Sequence, residues 1–270
     1  MRESRRAAYL ELLRLLPHHP IEAGRRFGTR LEVGLEALAG RRHRYDPLPF
    51  DTVVRELGDA LGQDAAPWLR EAALAEIDAE LGRAAEAVPA DAPFGVTMNP
   101  DPALARLAYA AVRALRPAVV IETGVGYGVT SAVMLQAMAQ NDSGVLHSID
   151  LPPFGENAAA LVGSAIPERL RERWHLHEGT SRRLLRPLLR ELGTIGLFLH
   201  DSRHTYRTMR EELASATPYL TYPGVVLVDD AERNSAFAEW CEHVSPTFAA
   251  TFHGAGSRLA GLGVVRRQRL

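Results

Sequence analysis

The chain contains no lysine: all 31 of its basic residues are arginine, set against 33 acids. That absence excludes Schiff-base and pyridoxal chemistry, a P-loop with its phosphate-binding lysine, and a lysine general base. Cysteine is nearly absent as well. The single Cys241 excludes an internal disulfide framework and a zinc site built from cysteines. An excess of one charge is also missing. The net charge of −2 argues against a nucleic-acid binder. No apolar run approaches the roughly 18–20 residues of a membrane span. The positive start, Met1 to Arg6, is followed by Glu11 and Arg14 rather than by the apolar core of a signal peptide, so a cytoplasmic location is the expectation. Chemistry in this chain rests on carboxylates, histidines, hydroxyls, arginine or a bound cofactor.

What is present fits one large α/β domain with a helical appendage: 270 residues, 46% apolar and 24% charged. Residues 1–90 read as a helical N-terminal domain, with patterns over Ser4–Leu16, Ile21–Leu38, Asp51–Leu61 and Asp64–Val88. Charge is uneven there. Residues 1–45 hold ten arginines against five acids, and residues 46–100 hold three against eleven. Solvated helix faces explain this most simply. Pairing between the halves, or with a second copy of the chain, is the alternative. The N-terminal helices are expected to form a lid, a dimer interface or both, with a homodimer as the assembly.

From Pro89 to Pro102, prolines and Gly95 mark a linker. Residues 100–270 then change texture. Asp101 has the form of a helix N-cap with Pro102 at the first helical position. After Pro117, short apolar runs alternate with helical patterns. Strands are predicted at Ala118–Ile121, Val145–Ile149, Trp174–His177, Ile195–Leu199 and Val225–Val228. Helices are predicted at Val129–Ala139, Leu184–Leu192 (kinked or restarted at Pro187), Thr205–Ala216 and around Phe237–Val244. Thr247–Phe252 and Leu259–Val265 are joined by a Gly-rich turn too short for a crossover, so they must be antiparallel. The pattern is that of a doubly wound, Rossmann-like, mostly parallel sheet.

Ligands bind outside the carboxyl ends of strands in such sheets. After the first strand comes Glu122-x-Gly124-x-Gly126-Tyr127-Gly128. A dinucleotide loop would place its third glycine at 129, which is Val, and an acid two residues ahead of the first glycine would repel a pyrophosphate but suit a cationic amine. Taken alone, the glycines are equally compatible with a tight structural turn. Asp150 ends the second strand, where an acid can accept from both hydroxyls of a ribose. Its helix-capping alternative is disfavoured by Pro152 and Pro153.

With Glu122 and Asp150 in place, residues 100–270 resemble the class I S-adenosylmethionine-dependent methyltransferases. The stretches His200-Asp201-Ser202-Arg203-His204-Thr205-Tyr206 and Val228-Asp229-Asp230 are similar to a small-molecule O-methyltransferase branch often found with bacterial sugar and natural-product biosynthesis. The resemblance implies a seven-stranded sheet with an antiparallel last strand. It implies S-adenosylmethionine held by Glu122, Gly124, Gly126, Tyr127, Gly128 and Asp150, with Gly179, Thr180 and Ser181 at the adenine and His200 and Asp201 beside the cofactor. Asp201, Asp229 and Asp230 would converge at one rim, where three oxygen ligands suit Mg²⁺. In relatives of this type such an ion holds and acidifies a hydroxyl acceptor. Contact with the cofactor, or capping of the next helix, is the competing role for these acids.

His204, three residues after Asp201 and at a helix start, is the best candidate base, with Asp230 its rival and Asp201 beside them. A capping role for His204 weighs about equally. His200 is expected to point to the other side of its strand. The remaining histidines, Trp174 and Trp240 read as surface or packing residues. The expected acceptor is a small-molecule hydroxyl. The rivals are an RNA or other nucleic-acid methyltransferase, which would need a basic surface continuous with the site, and a non-catalytic nucleoside-binding subunit, which would not require the acids and histidine at the strand ends. The 18 arginines against 17 acids of residues 101–270 disfavour the first rival.

Overall fold

The computed structural model describes residues 43–86, 101–151, 158–254 and 258–266. The helices expected before residue 43, most of the 89–102 linker, the Pro152–Pro153 pair and the tip of the final turn lie outside the described residues. Seven strands form one sheet in the order β3-β2-β1-β4-β5-β7-β6. They are β1 Val119–Thr123, β2 Val145–Asp150, β3 Trp174–Glu178, β4 Ile195–His200, β5 Leu220–Val228, β6 Phe248–His253 and β7 Leu259–Val265. Strands β3 to β5 pair in parallel across β2, β1 and β4. Strand β7 runs antiparallel to both β5 and β6, the expected hairpin.

The order reverses between β1 and β4, whose neighbours β2 and β5 lie on opposite sides. That switch point opens a crevice at the carboxyl ends of these strands. Alternation along the strands assigns two faces. Helices α1 (Phe50–Leu61), α2 (Ala72–Glu86), α3 (Pro102–Leu115) and α4 (Val129–Asn141) share a core with Val120, Leu146, Leu197, Leu199, Val225 and Leu227. Helices α5 (Ser181–Leu192), α6 (Tyr206–Ala216) and α7 (Ala236–Val244) pack over Ile121, Ile149, Phe198, Val226 and Val228.

Residues 43–270 make one compact unit. Helices α1 and α2, grouped by sequence with a domain ending at residue 90, thus share the core of the sheet. The reason lies in α4, which is buried on every side from Thr130 to Met138 and needs cover beyond α3. Arg113 of α3 fastens that layer. It pairs with Glu71 at 2.7 Å while Tyr109 donates to the same carboxylate. Glu71 is extended between the 3-10 turn Ala66–Arg70 and α2, so the single helix expected over residues 64–88 is divided there.

Several strands run further than their apolar runs suggest. β1 takes in Glu122 and Thr123, β4 takes in His200, and β5 begins at Leu220. Helix α5 starts at Ser181 and passes through Pro187 without a restart. Asp101 caps α3 as expected, accepting from the amides of Ala103 and Leu104.

Candidate functional site

Four strand ends and the turns after them build the crevice. The loop after β1 holds Gly124, Gly126 and Gly128, all at positive φ. The three differ in what they require. A side chain on Gly124 would run into the carbonyl of Asp201, so the β1 and β4 ends touch there through backbone alone. A side chain on Gly128 would strike Gly163 and Ile166. Gly126 faces open space, which leaves loop backbone accessible to a ligand. The segment beyond β2 braces this loop from outside, with Gly163 donating to the Gly126 carbonyl and Ala165 to that of Tyr127. The Tyr127 side chain packs with Val162.

Asp150, at the end of β2, accepts from the Val125 amide at 2.8 Å and the Gly126 amide at 2.9 Å through a single oxygen, Oδ2. It therefore fixes the loop while keeping Oδ1 for another partner. Glu122 sits beneath the loop, not at its mouth. It is buried, and the hydroxyls of Ser131 and Ser148 both donate to its Oε1 at 2.5 Å. Burial, opposed by those hydroxyls and aided by the charge of Asp150, raises its carboxyl to about 7.

On the other side of the crevice, Gly179 and Thr180 form the turn into α5. Ser181, expected at the adenine rim, is the first residue of α5. Glu212 was not anticipated. It is buried and accepts from Thr123 Oγ1 at 2.6 Å, Ser202 Oγ at 2.8 Å and His200 Nδ1 at 2.6 Å. Burial alone would raise its carboxyl, but His200 and these donors outweigh it and hold the group low. A signal existed in the sequence: Glu212 shares the helical stripe of Met209, Leu213 and Ala216, where an acid is out of place unless partnered. His200, read as a cofactor neighbour, is fully buried against Glu212.

Asp201, Asp229 and Asp230 do converge, and the centre of their convergence is His204. Its Nε2 lies 3.9 Å from Asp201, 3.8 Å from Asp229 and 3.8 Å from Asp230. Asp201, His204 and Asp229 offer ligand atoms within 4.8 Å of one another. Among the described residues, that group could hold a cation, with Asp230 at 3.8 Å from the same imidazole nitrogen. Asp230 has left-handed backbone, and its Oδ2 accepts from Arg233 Nε at 2.6 Å.

Burial and the neighbouring charge of Asp229 push the Asp201 carboxyl up. Burial and Asp230 raise Asp229 to about 6. Burial, reinforced by the charge of His200, brings His204 down to about 3 despite the carboxylates around it. The cluster is an imidazole held neutral beside crowded carboxylates, with Asp229 Oδ1 and Asp230 Oδ1 buried and unpartnered. It can accept a proton or ligate a divalent cation.

Residues 121–231 match the family model described as a methyltransferase domain. No curated protein sequence matches the chain. Among solved structures, the fold is similar to an O-methyltransferase from Bacillus cereus in complex with S-adenosylhomocysteine, at 14% identity and TM-score 0.53, over 80% of this chain and 97% of that one. It is also similar to the O-methyltransferase TomG from Streptomyces achromogenes, which is involved in tomaymycin synthesis and was solved with S-adenosylmethionine, at 16% identity and TM-score 0.52, over 73% and 91%. The methyltransferase PaMTH1 of Podospora anserina, bound to S-adenosylhomocysteine, aligns at 11% identity and TM-score 0.51, over 73% and 89%.

Proposed function

We propose that this chain, whose residues 121–231 belong to the methyltransferase-domain family and form a class I S-adenosylmethionine-dependent methyltransferase domain, methylates a hydroxyl oxygen of a small molecule. The observation that carries this reading is the His204 imidazole, its Nε2 set within 4 Å of Asp201, Asp229 and Asp230 at the carboxyl ends of β4 and β5. S-adenosylmethionine supplies a methyl carbon already activated by a sulfonium. The chain has two tasks left, to hold the acceptor in line and to take its proton.

Each task has residues suited to it. Asp150 Oδ1 accepts from a ribose hydroxyl, and the open backbone at Gly126 faces the amino-acid end of the cofactor. His204 Nε2 is placed to accept the acceptor's proton, and the carboxylates at 3.8–3.9 Å offset part of the burial that opposes its imidazolium. Asp201, His204 and Asp229 also fit a divalent cation, because crowded carboxylates and a neutral imidazole are what such an ion satisfies. Bound there, it would hold and acidify the hydroxyl. With Nε2 engaged as a ligand, Asp230 is the carboxylate outside the set that can take the proton.

The acceptor class is an uncharged polyhydroxylated molecule such as a sugar or natural-product intermediate. Calorimetry with S-adenosylhomocysteine tests the cofactor assignment. Wild type should bind, and Asp150→Ala should lose about 1–3 kcal/mol. Absence of binding by the wild type would end the methyltransferase reading. Labelled S-adenosylmethionine incubated with pooled sugars and polyphenols, with chelator and then with Mg²⁺ or Mn²⁺, tests acceptor and metal together. Turnover indifferent to chelator sinks the metal.

A further inference from the structure

Three histidines that the sequence presents as surface or packing residues are brought together by the sheet. Parallel register sets His147 of β2 opposite His175 of β3, with His177 two residues further along. Alternation turns all three to the face of Ile149, which α5 covers. His147 Nδ1 and His177 Nε2 lie 3.0 Å apart, the ring planes differ by 22°, and the ring centroids stand 5.3 Å apart. The gap between those two distances is one ring radius on each side, so the nitrogens face each other along the line between the centres. That is an in-line imidazole–imidazole hydrogen bond. His175 stacks on His147 with centroids 4.8 Å apart. Strand β3 is an edge of the sheet, so these contacts reinforce a backbone ladder that it makes on one side only.

We propose that the His147–His177 pair is a proton-operated latch, which closes the edge strand β3 onto β2 and opens in acid. Two facing nitrogens hold one proton between them. A second proton sets N–H against N–H, and the bond is lost with two like charges in contact. Once β3 has parted from β2, each ring takes its own proton near the ordinary value of about 6.5. The latch therefore holds fully above that value and weakens as pH falls below it. The surroundings act in the same direction. Burial and then the charge of His175 oppose protonation of both rings, His177 adds to this at His147, and Glu191 of α5 favours it at His177 alone. What opens is a wall beside the loop after β1. The Gly179 amide, just past β3, donates to the Asp150 carbonyl at 2.8 Å, and the Asp150 side chain holds that loop. An effect of acid on cofactor binding rests on the methyltransferase reading, whereas the latch itself does not.

The test is amide hydrogen exchange of the full chain at pH ~7 and pH ~5, without cofactor or acceptor, corrected for the intrinsic exchange rate. The internal reference is β6, the other edge of the sheet, whose one histidine is the exposed His253 at its end. Protection of residues 174–179 should fall about 20-fold relative to residues 248–252 between the two conditions, the effect of one proton of ordinary affinity taken up on opening. His147→Phe combined with His177→Phe keeps flat rings on both strands and removes the shared proton. In that variant the relative protection of β3 should no longer depend on pH.

Equal losses in β3 and β6 overturn the proposal. So does a β3 loss that survives in the folded double variant. If that variant does not fold, the wild-type comparison of the two edges decides alone. None of these readings needs S-adenosylmethionine. A failure of the methyltransferase assignment would instead appear as absent S-adenosylhomocysteine binding with the pH response of β3 intact.

Discussion

Glu122 and Glu212 are both buried at the carboxyl end of β1, one on each face of the sheet, and they are held in opposite states. Glu122 belongs to the strand and points toward α4, where two serine hydroxyls share one of its oxygens. Glu212 reaches in from α6 and meets Thr123, the next residue of the strand, together with Ser202 and His200. Equal burial raises one carboxyl to about 7, while the other stays below its ordinary value. The difference is the number and kind of donors. Two neutral hydroxyls on one oxygen do not offset the loss of water, whereas two hydroxyls spread over both oxygens together with an imidazole do. On the α4 side the glutamate is a nearly neutral brace under the loop. On the α6 side it is a fixed charge that orients other groups.

Removing each group should break the comparison most strongly. Glu212→Ala strands His200 and two hydroxyls, and should cost about 3–5 kcal/mol in chemical denaturation, as for a buried pair that loses one partner. Glu122→Ala leaves two hydroxyls to re-pair and should cost about 1–3 kcal/mol. If the two costs come out reversed, Glu212 does not carry the charge assigned to it.

The pH dependence sharpens the contrast, because the two groups act with opposite sign. Folded Glu122 binds a proton that the unfolded chain releases near 4.5. Its contribution is complete below that value and is lost as pH rises through about 7. Glu212 is lowered, so its contribution is complete above 4.5 and is lost as pH falls through its folded value. Scanning calorimetry should show Glu122→Gln losing less stability than wild type between pH ~5 and ~8, and Glu212→Gln losing less on the acid limb. Identical pH profiles for the two variants would refute the assignment.

The smallest effect is Thr123→Val, which removes one of the donors to Glu212 and should cost about 0.5–1.5 kcal/mol. Its cost should vanish in a Glu212→Ala background, since the pair would then have nothing to couple.

Local patterns in the sequence carried the sheet and its hairpin. The alternation of apolar runs and helical periods was complete, and the turn between β6 and β7 was too short for any but antiparallel pairing. The turn after β1 was legible for the same reason: Gly124, Gly126, Gly128 and Asp150 are set by backbone requirements within a few residues of strand ends. Glu212 and the position of His204 among the three acids were not. Which of the adjacent acids Glu211 and Glu212 turns inward depends on the pose of a helix against β1 and β4, and Asp230 is drawn off by Arg233 through a local backbone turn. Composition marks the linker near residue 90 but not which surface α1 and α2 cover.

The bare contact between Gly124 and the Asp201 carbonyl, with the Asp201 amide returning a hydrogen bond to Thr123, welds the loop proposed to hold the cofactor to the strand end proposed to meet the acceptor. A shift in one drags the other with it. Evolution or engineering of acceptor choice is therefore confined to parts that do not pass through this weld. Random substitutions selected for a new acceptor should accumulate in segments outside residues 122–128 and 200–204, and Gly124→Ala should abolish cofactor and acceptor binding together rather than trade one for the other.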